Sequence, residues 1–543
     1  MPRRFAVSLL WPACVLAGSA PVDEGARAVA DAEATFADAR DAFGVLGAID
    51  SGLFPGYRGR DRAEWQGEFD RAHRRLVDEL AALPEAGLSP GDARVVARMR
   101  EGLAAFEAPS APGPGAARCR DARRGDSAYA ALAQALVACF TEIGNRLEFE
   151  GGTIDRASAL SQLHVIADPG RREALFRAFV PLWRAVNDDG SADSPYRRLV
   201  ALAAARTQES PIDAAARTVG TDRATAEAWL VRILDAWRAV NDGPMVEPWD
   251  YRFTIGAADR ALSPHIPLAS LLPIDLRFFR DLGVDLDTPG VYYDLVPRSG
   301  KSSVAYTDFL VHGRSRNGRW EPTVARVLAS YQQGSLGALN ELVHESGHAA
   351  QLLAMRNRPV YVDWNDTLFV EAFADVPSWS LFEPAWQRRY LGAAAPVRDS
   401  LRSLYGTVML DVAWALFECR MLREPRQDPN VVWTAITSHY LRIAPHPELA
   451  WWSMRVQLVD EPGYMVNYGL GAIVTAALRA RTRASIGSFD AGNPRWYGWL
   501  SDALLRSGSE RDTPSLLREF LGEPVSPDAL LAQLRRLAPP RPR

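Results

Sequence analysis

Two histidines and a glutamate in His344-Glu345-Ser346-Gly347-His348 have the types and spacing of a metal-dependent hydrolytic site. On a helix, residues i and i+4 lie on one face, so both imidazoles can reach a single ion. Glu345 is then placed to act as a general base on a water at that ion. The spacing predicts a zinc site with hydrolytic chemistry.

The residues around this motif have the periodicity of a partly buried helix. The chain has only 8 histidines in 543 residues, so two of them at ligand spacing favour a metal site over a chance match on a solvated helix. Apolar side chains recur at steps of three and four, at Leu339, Leu342, Val343, Ala349, Leu352 and Leu353.

A third ligand is expected in the next helical segment. Catalytic zinc usually has three protein ligands and leaves a fourth position for water. Glu371 is the candidate, and the alternative is a carboxylate that only complements the helix dipole. Asp375, one turn after Glu371, can accept the outer N–H of a bound imidazole and so fix its tautomer.

These motifs resemble those of known zinc peptidases. His344 to His348 followed by Glu371-Ala372-x-x-Asp375 is similar to the gluzincins, specifically the angiotensin-converting-enzyme family, whose third-ligand helix has the same Glu-Ala-x-x-Asp order. The segment 292–301 is more similar to the thimet oligopeptidase and oligoendopeptidase F family. The resemblance covers about residues 290–385, returns near 462–484, and before residue 250 extends only to a series of helices.

The resemblance implies a helical peptidase architecture and hydrolysis of peptide bonds. The expected fold is mostly α: a large helical peptidase body with a deep central cleft and a small antiparallel sheet beside the zinc helix. One Zn²⁺ per chain and short peptide substrates are implied. A zinc-containing peptide-binding protein with little or no turnover is the alternative function, because one histidine of the converting-enzyme pattern is missing.

That histidine would lie seven residues before the first of two tyrosines that face the metal in the resembling families. Tyr464 and Tyr468 match those tyrosines, and they are expected either to stabilise an oxyanion or to pack in the core. Gln457 occupies the histidine position. Either Gln457 donates instead, or His439 or His446 supplies the group, or the alignment is shifted.

Two cleavage modes remain open. An enzyme that removes C-terminal dipeptides must bind the free carboxylate about two residues, or roughly 7 Å, beyond the zinc. The converting enzymes use a lysine that this chain lacks, and Arg455 is the candidate replacement, with a solvated helix residue as its alternative. Without such a role for Arg455, internal cleavage of oligopeptides is expected.

Between residues 290 and 333 the pattern changes from helix to strand. The runs 291–295 and 304–311 are rich in β-branched and aromatic residues, and Asn317-Gly318 is a tight-turn signal before the run 323–328. We expect an antiparallel sheet whose edge strand either pairs with an extended peptide or only covers the core.

Composition indicates a globular protein without a nucleic-acid partner. The chain is 48% hydrophobic, and its 62 Lys and Arg nearly balance its 66 Asp and Glu, so no basic field favours nucleic acid. Helical patterns at 171–187 and 221–241 each end at an Asn-Asp stop. We expect one integrated domain with a helical half at 21–250 and a catalytic half at 251–543.

The N-terminus has the pattern of a secretory signal. Arg3 and Arg4 precede an apolar run and then small residues, so residues 1–20 are read as a signal peptide. A periplasmic or secreted protein without stable membrane insertion is expected, and a cytoplasmic one if this stretch is not a signal. Cys119 and Cys139 can then pair, whereas Cys419 is expected to be a buried free thiol.

Overall fold

The computed structural model describes most of the chain, and its described part is mostly α-helical, as expected. The predicted signal peptide and Cys119 lie outside the described residues. Cys139 is disulfide-bonded, but the pairing with Cys119 stays a prediction. The described residues are 24–83, 87–107, 128–206, 210–241, 243–298, 301 and 304–538.

The first half of the chain is a succession of helices with two short β-ribbons. The ribbons pair β1 (Gly56–Tyr57) with β2 (Arg60–Asp61), and β3 (Leu147–Phe149) with β4 (Gly152–Ile154). The helices are α1 (Glu24–Asp50), α2 (Arg62–Ala82), α3 (Pro90–Glu107), α4 (Tyr129–Gly144), α5 (Arg156–Gln162), α6 (Pro169–Arg177), α7 (Val180–Asn187), α8 (Pro195–Arg206), α9 (Pro211–Thr218), α10 (Arg223–Val240), α11 (Pro248–Ile255), α12 (Ala257–Leu262) and α13 (Leu271–Asp281).

The helical stretch predicted at 171–187 is divided into two helices. Pro181 lies in the first turn of α7, where its missing N–H is tolerated, whereas a continuous helix would require that donor. The stretch predicted at 221–241 is the single helix α10, and α7 and α10 both end at the expected Asn-containing stops.

A three-stranded sheet is formed by strands between residues 291 and 328, after the helices of the first half and before those of the second. Its order is β5 (Val291–Asp294), β9 (Val324–Leu328), β6 (Tyr306–Val311), with β5 parallel and β6 antiparallel to β9. The sheet is therefore mixed rather than wholly antiparallel, because the fully buried β9 is inserted between two strands that run in opposite directions.

The predicted tight turn forms a separate ribbon. Strand β7 (Arg314–Arg316) pairs with β8 (Arg319–Glu321) across Asn317 and Gly318. These two residues have φ values of 52° and 74°, in the left-handed region that Asn and Gly tolerate best.

The second half returns to helix and contributes most of the core. Buried side chains between Leu132 and Leu537 form one continuous apolar cluster, and Cys419 within it is a free buried thiol, as predicted. The division of the chain near residue 250 stays a prediction. The helices are α14 (Leu336–Ala354), α15 (Thr367–Ser378), α16 (Pro384–Leu391), α17 (Val397–Arg423), α18 (Pro429–Ile436), α19 (Gln457–Asp460), α20 (Met465–Ile486), α21 (Arg495–Leu500), α22 (Thr513–Leu521) and α23 (Asp528–Arg535).

Helices α14 and α15 pack against each other at very short range. The side chain of Ser335 caps α14 and that of Asp366 caps α15, so both helices begin at fixed points. A Cβ atom at Gly347 would lie 2.9 Å from the carbonyl oxygen of Ala374, so only glycine permits this approach. Among the described residues, no helix is both long and apolar enough to cross a lipid bilayer.

Candidate active site

Helix α14 presents His344, Glu345 and His348 toward a deep cleft. The two imidazole rings have centroids 4.7 Å apart and lie nearly perpendicular to each other, at 89°. Because the three residues lie within two consecutive turns of one helix, their relative positions are fixed by helix geometry. The helical placement of the motif agrees with the sequence-based expectation.

Glu371 reaches the two histidines from helix α15. Its Oε2 atom lies 3.2 Å from Nε2 of His344 and 3.9 Å from Nε2 of His348. The potential ligand atoms of the three residues all lie within 4.8 Å of one another. The structure thus brings together the three side chains that the sequence nominates as ligands.

The protonation states of His348 and Glu371 suit a divalent metal ion. Burial lowers the pKa of His344, but its hydrogen bonds to Asp375 and Glu371 outweigh burial and raise that pKa, so a metal ion would have to displace a proton from this ring. Burial and the neighbouring His344 lower the pKa of His348 to about 3, so that its imidazole is neutral. Burial opposes ionisation of Glu371, yet the adjacent imidazoles lower its pKa to about 2. A neutral imidazole and an ionised carboxylate are the forms that bind metal.

The donor set also fits zinc. Two imidazoles and one carboxylate are a common ligand set of catalytic zinc sites. The Oε2 atom of Glu371 is buried beside the Nε2 atoms of both histidines, but no described residue donates a well-aligned hydrogen bond to it. A buried carboxylate oxygen without a donor is costly, and a cation at this point would compensate it.

Asp375 lies where a residue that orients a metal ligand is expected. Its Oδ1 atom is 2.8 Å from Nδ1 of His344, and Ser378 Oγ donates to the same oxygen at 3.2 Å. This contact leaves Nε2 of His344 as the metal-facing nitrogen. The outer nitrogen of His348 has no partner in the described part of the chain, and Trp364 packs against that ring instead.

Glu345 is buried and held by a residue of the sheet. Thr307 Oγ1, on strand β6, lies 2.7 Å from Oε2 of Glu345 and 3.0 Å from its main-chain oxygen. Burial raises the pKa of Glu345 to about 7, near the value that suits a general base at neutral pH. Sequence reasoning missed Thr307, since nothing local to the strand indicates its contact with α14.

The two candidate tyrosines lie at the start of helix α20 and line the cleft. Tyr464 donates its hydroxyl hydrogen to Oε1 of Glu371 at 2.8 Å, and its ring centroid lies 5.7 Å from that of Tyr468. Both tyrosines are therefore close to the predicted ligands, and Tyr464 contacts one of them directly.

A buried carboxylate that sequence reasoning missed fixes the turn that carries Tyr464. The main-chain N–H groups of Gly463 and Met465 each donate to Glu418 on helix α17, both at 2.7 Å. Burial raises the pKa of Glu418 to about 8. The only sequence signal is a single carboxylate within the apolar stretch 412–419.

Arg455 and Gln457 also line the cleft, whereas His439 and His446 are not part of its wall. The guanidinium of Arg455 pairs with the carboxylate of Asp411 and lies over the ring of Trp414, 5.1 Å from its centroid. Arg455 is thus not a solvated helix residue, and much of its charge is already compensated.

The cleft has a volume of about 700 Å³, which is large enough for a peptide segment. Strand β6 forms part of its wall through Tyr306 and Thr307. Arg156 and Arg252, from the first half of the chain, line the same cleft. Sequence reasoning did not identify these two arginines.

No protein-family model matches this sequence, and no curated protein matches it. Solved structures match it along almost the whole chain. An M32 carboxypeptidase from Deinococcus radiodurans R1 is 16% identical, with a TM-score of 0.55 over 95% of this chain and 98% of that one. PZ peptidase A, solved with an inhibitor, is 14% identical, with a TM-score of 0.58 over 94% of this chain and 96% of that one.

A structure from Bacillus anthracis str. Ames, titled as an oligoendopeptidase F, is 16% identical, with a TM-score of 0.55. The match extends over 92% of this chain and 89% of that one. The predicted resemblance to the oligoendopeptidase F family is confirmed at the level of the fold. The resemblance to the converting-enzyme family stays a prediction. This chain shares the helical fold of these solved peptidases.

Proposed function

We propose that this protein is a zinc metallopeptidase that hydrolyses peptide bonds of short peptides. The observation that carries the proposal is the convergence of His344, His348 and Glu371, with Glu345 beside them, on the wall of a cleft of about 700 Å³. The names of the solved structures that share this fold support the same activity.

In the proposed mechanism Glu345 is the general base. A zinc ion held by the three ligand residues would polarise the scissile carbonyl and lower the pKa of a water molecule. Glu345 accepts the proton of the attacking water and later delivers it to the leaving nitrogen. The hydrogen bond from Thr307 keeps the carboxylate of Glu345 in one orientation, and Asp375 fixes the tautomer of His344.

Tyr464 and Tyr468 are the proposed donors to the oxyanion that develops on the carbonyl oxygen. In this structure the hydroxyl of Tyr464 is engaged with Glu371, so it would have to exchange that acceptor for the oxyanion. Gln457, which also lines the cleft, is the alternative donor. Neither His439 nor His446 lies on the cleft wall.

An extended peptide is proposed to lie along strand β6. This strand is at one edge of the sheet, and its end at Tyr306 and Thr307 faces the cleft beside Glu345. Main-chain pairing with an edge strand holds a peptide without regard to its side chains. Such pairing would suit an enzyme that accepts many short sequences.

Export remains a proposal that rests on the N-terminal sequence alone. Residues 1–20 are proposed as the signal peptide, and the mature protein is proposed to be periplasmic or secreted. N-terminal sequencing of protein from the periplasmic fraction and the medium tests this. An intact first residue on cytoplasmic protein would favour the cytoplasmic alternative.

The test of the activity is hydrolysis of quenched fluorescent peptides before and after removal of metal by a chelator. We expect cleavage that is lost with the chelator and restored by zinc. Mass spectrometry of the products separates removal of C-terminal residues from internal cleavage. Zinc-loaded protein that binds these peptides without cleaving them would instead support the peptide-binding alternative.

A further inference from the structure

Helix α20, which begins next to Tyr464 and contains Tyr468, lacks the usual capping side chain. Its N-cap residue is Tyr464, whose side chain accepts no hydrogen bond from the first turn. Most helices are capped by Ser, Thr, Asp or Asn, because a short side chain with an oxygen can turn back to the N–H groups. The hydroxyl of Tyr464 instead donates to Oε1 of Glu371 at 2.8 Å. The N–H groups at this end of the helix therefore need an acceptor from another element.

Glu418 on helix α17 supplies that acceptor. Its Oε1 atom accepts the N–H of Gly463 and its Oε2 atom accepts the N–H of Met465, both at 2.7 Å. The two bonds lie on either side of Tyr464 in the sequence, so one carboxyl group holds the main chain both before and after this residue. A carboxylate at the N-terminus of a helix is also favoured by the helix dipole.

The surroundings of Glu418 leave it no other strong partner. Its side chain is 1% exposed, and it forms no ion pair with any residue that the structure describes. Burial raises the pKa of Glu418, and the main-chain N–H groups of Gly463 and Met465 oppose that rise. A buried carboxyl group is costly unless it is hydrogen-bonded. Glu418 is therefore a residue whose hydrogen bonds organise the turn at 463–465.

Packing also holds this turn in place. Gly463 has a φ of 104°, which favours glycine, and a Cβ atom there would lie 2.5 Å from Cβ of Pro211. Farther along α20, a Cβ atom at Gly469 would lie 2.4 Å from Cβ of Ala415 on α17. Because α17 and α20 approach closely at this second point, α20 cannot shift past Glu418 without a clash. The main chain at Tyr464 is therefore fixed by contacts on both sides.

We propose that Glu418 is a positioning residue for the proposed reaction, because it caps α20 in place of Tyr464 and so leaves the hydroxyl of Tyr464 available to the site. The inference rests on the proposed peptidase function and on the proposed role of Tyr464 as an oxyanion donor. With the main chain fixed, the hydroxyl exchanges Glu371 for the oxyanion by rotation of the Tyr464 side chain alone. A donor that needs no movement of the main chain stabilises the developing charge at little cost of reorganisation. Glu418 is not part of the cleft wall and acts only through Tyr464.

A double-mutant cycle tests whether Glu418 acts through Tyr464. Glu418→Gln keeps the shape of the side chain but places an amide NH₂ group against one of the two main-chain N–H groups, so one hydrogen bond is lost. Its effect on kcat is measured in the native protein and in Tyr464→Phe, with quenched fluorescent peptides as substrates. Residues that act as one unit show non-additive losses, whereas losses at independent residues multiply.

Glu33→Gln is the matched control. Glu33 is also a buried glutamate, at 5% exposure, and its Oε1 atom accepts the main-chain N–H of Val360 at 3.2 Å. Its Oε2 atom pairs with Arg358. Glu33 lies on α1 and is not part of the cleft wall. Both variants should lower the Tm through loss of a buried hydrogen bond, but only Glu418→Gln should affect catalysis.

We expect Glu418→Gln to lower kcat by about tenfold, with KM and zinc content unchanged, as a part of the loss of about 10²-fold that removal of the donor causes. In Tyr464→Phe the same substitution should change kcat by less than about twofold, because the hydroxyl that it positions is absent. Equal losses in both backgrounds, or a loss that follows zinc content, would overturn the proposal. An equal fall in kcat in Glu33→Gln would attribute the effect to lowered stability and would overturn it too.

Binding of an analogue that cannot be cleaved separates failure of the positioning role from failure of the proposed function. An alanine-based phosphinic peptide, in which P(O)(OH)–CH₂ replaces the scissile amide, presents an anionic oxygen where the oxyanion would develop. Calorimetry measures its binding to the zinc-loaded native protein, to Glu418→Gln, to Tyr464→Phe and to the double variant.

Binding that weakens by about tenfold in Glu418→Gln, but does not weaken further when Glu418→Gln is added to Tyr464→Phe, supports the positioning role even if the native protein cleaves nothing. Cleavage by the native protein with independent effects of the two substitutions in both assays leaves the peptidase function intact and removes the role of Glu418. A native protein that neither binds the analogue nor cleaves any peptide would remove both proposals.

Discussion

Two groups of side chains on the cleft wall, here called the metal end (His344, Glu345, His348 and Glu371) and the arginine end (Arg156, Arg252 and Arg455), differ in how their charges are balanced. At the metal end, His344 contacts Asp375, Glu345 accepts from Thr307 and Glu371 accepts from Tyr464. Most groups of the metal end are therefore held in place without substrate, with Nδ1 of His348 and Oε2 of Glu371 as the exceptions.

At the arginine end, neither Arg156 nor Arg252 forms an ion pair with a carboxylate of the described residues. Burial lowers the pKa of both, and the charges of Glu341 on Arg156 and of Asp411 on Arg252 oppose that shift only in part. The two arginines are held by fewer polar contacts.

The two ends also draw on different parts of the sequence. The metal end combines α14, α15, the start of α20 and strand β6, whereas the arginine end adds α5 and α11 from the first half of the chain. On our proposed function the second half performs the chemistry, and the first half contributes Arg156 and Arg252 to the wall of the same cleft. Substitutions at the two ends should therefore differ in kind, and the following predictions are ordered by expected effect.

Glu345→Gln should have the largest effect. The amide keeps the shape of the side chain but cannot accept a proton from water, so we expect kcat/KM to fall by about 10³-fold. Zinc content, measured by mass spectrometry of the metal, should not change. The exposed Glu321→Gln is the control, and activity near that of the native protein would exclude Glu345 as the base.

Glu371→Ala should break the metal end by removing a ligand. We expect loss of zinc affinity larger than the 10–100-fold effect typical of residues that orient a ligand. Asp375→Asn should show that smaller loss of zinc affinity, because Asp375 only orients His344. His344→Ala and His348→Ala each remove a ligand and should lose as much zinc affinity as Glu371→Ala. Equilibrium dialysis against zinc measures all four, and full zinc occupancy in Glu371→Ala would place the third ligand elsewhere.

Tyr464→Phe tests whether the metal end has a separate oxyanion donor. Removal of one such donor costs on the order of 10²-fold in kcat, and we expect a loss of that size with zinc content and KM unchanged. Tyr468→Phe is the matched variant one turn along the same helix. A parallel fall in zinc content would show that Tyr464 serves only to orient Glu371.

Arg455 and Asp411 sharpen the comparison because they form an ion pair within the arginine end, where the other two arginines have no such pair among the described residues. Arg455→Met should destabilise the protein by about 3 kcal/mol, since it leaves the carboxylate of Asp411 buried and unpaired. Adding Asp411→Asn should recover much of this loss, as measured by urea unfolding. Because Arg455 is already paired with Asp411, we expect Arg455→Met to keep any preference for a free over an amidated C-terminus. Loss of that preference in Arg455→Met would instead identify Arg455 as the carboxylate-binding residue.

Thr307→Val should have the smallest effect, seen in the pH profile. Glu345 must be ionised to accept a proton, and its pKa is about 7, so kcat/KM should fall as the pH drops through this value. The hydrogen bond from Thr307 lowers that pKa. Its removal should move the acidic limb upward by about 0.5–1 pH unit, while Thr153→Val on β4 should leave the limb in place.

The metal end was largely predictable because its signals are local. The spacing of His344 and His348 requires only a helix, and Glu371 and Asp375 follow at helical spacing in the next such segment. Thr307 and Glu418 were missed because only tertiary packing brings them to Glu345 and to the turn at 463–465. The same holds for Arg156 and Arg252.

The two errors in the fold have different origins. The division of the predicted helix at 171–187 depends on Pro181, whose effect on the chain is local and was available from the sequence. The parallel pairing of β5 with β9 was not available, since it depends on which strand the sheet places at its centre. Strand runs predict where strands form but not the order in which they pair.

The absence of a side chain on Gly347 affects the size of the metal ion that the site can bind. The close approach of α14 to α15 at this point sets the gap between the imidazoles on one helix and the carboxylate on the other. Zinc bonds to nitrogen and oxygen are about 2.0–2.2 Å long, against about 2.3–2.6 Å for calcium. A residue with no ligand atom of its own thus helps to set the separation of the ligand atoms, on which the size of the ion that they can bind depends.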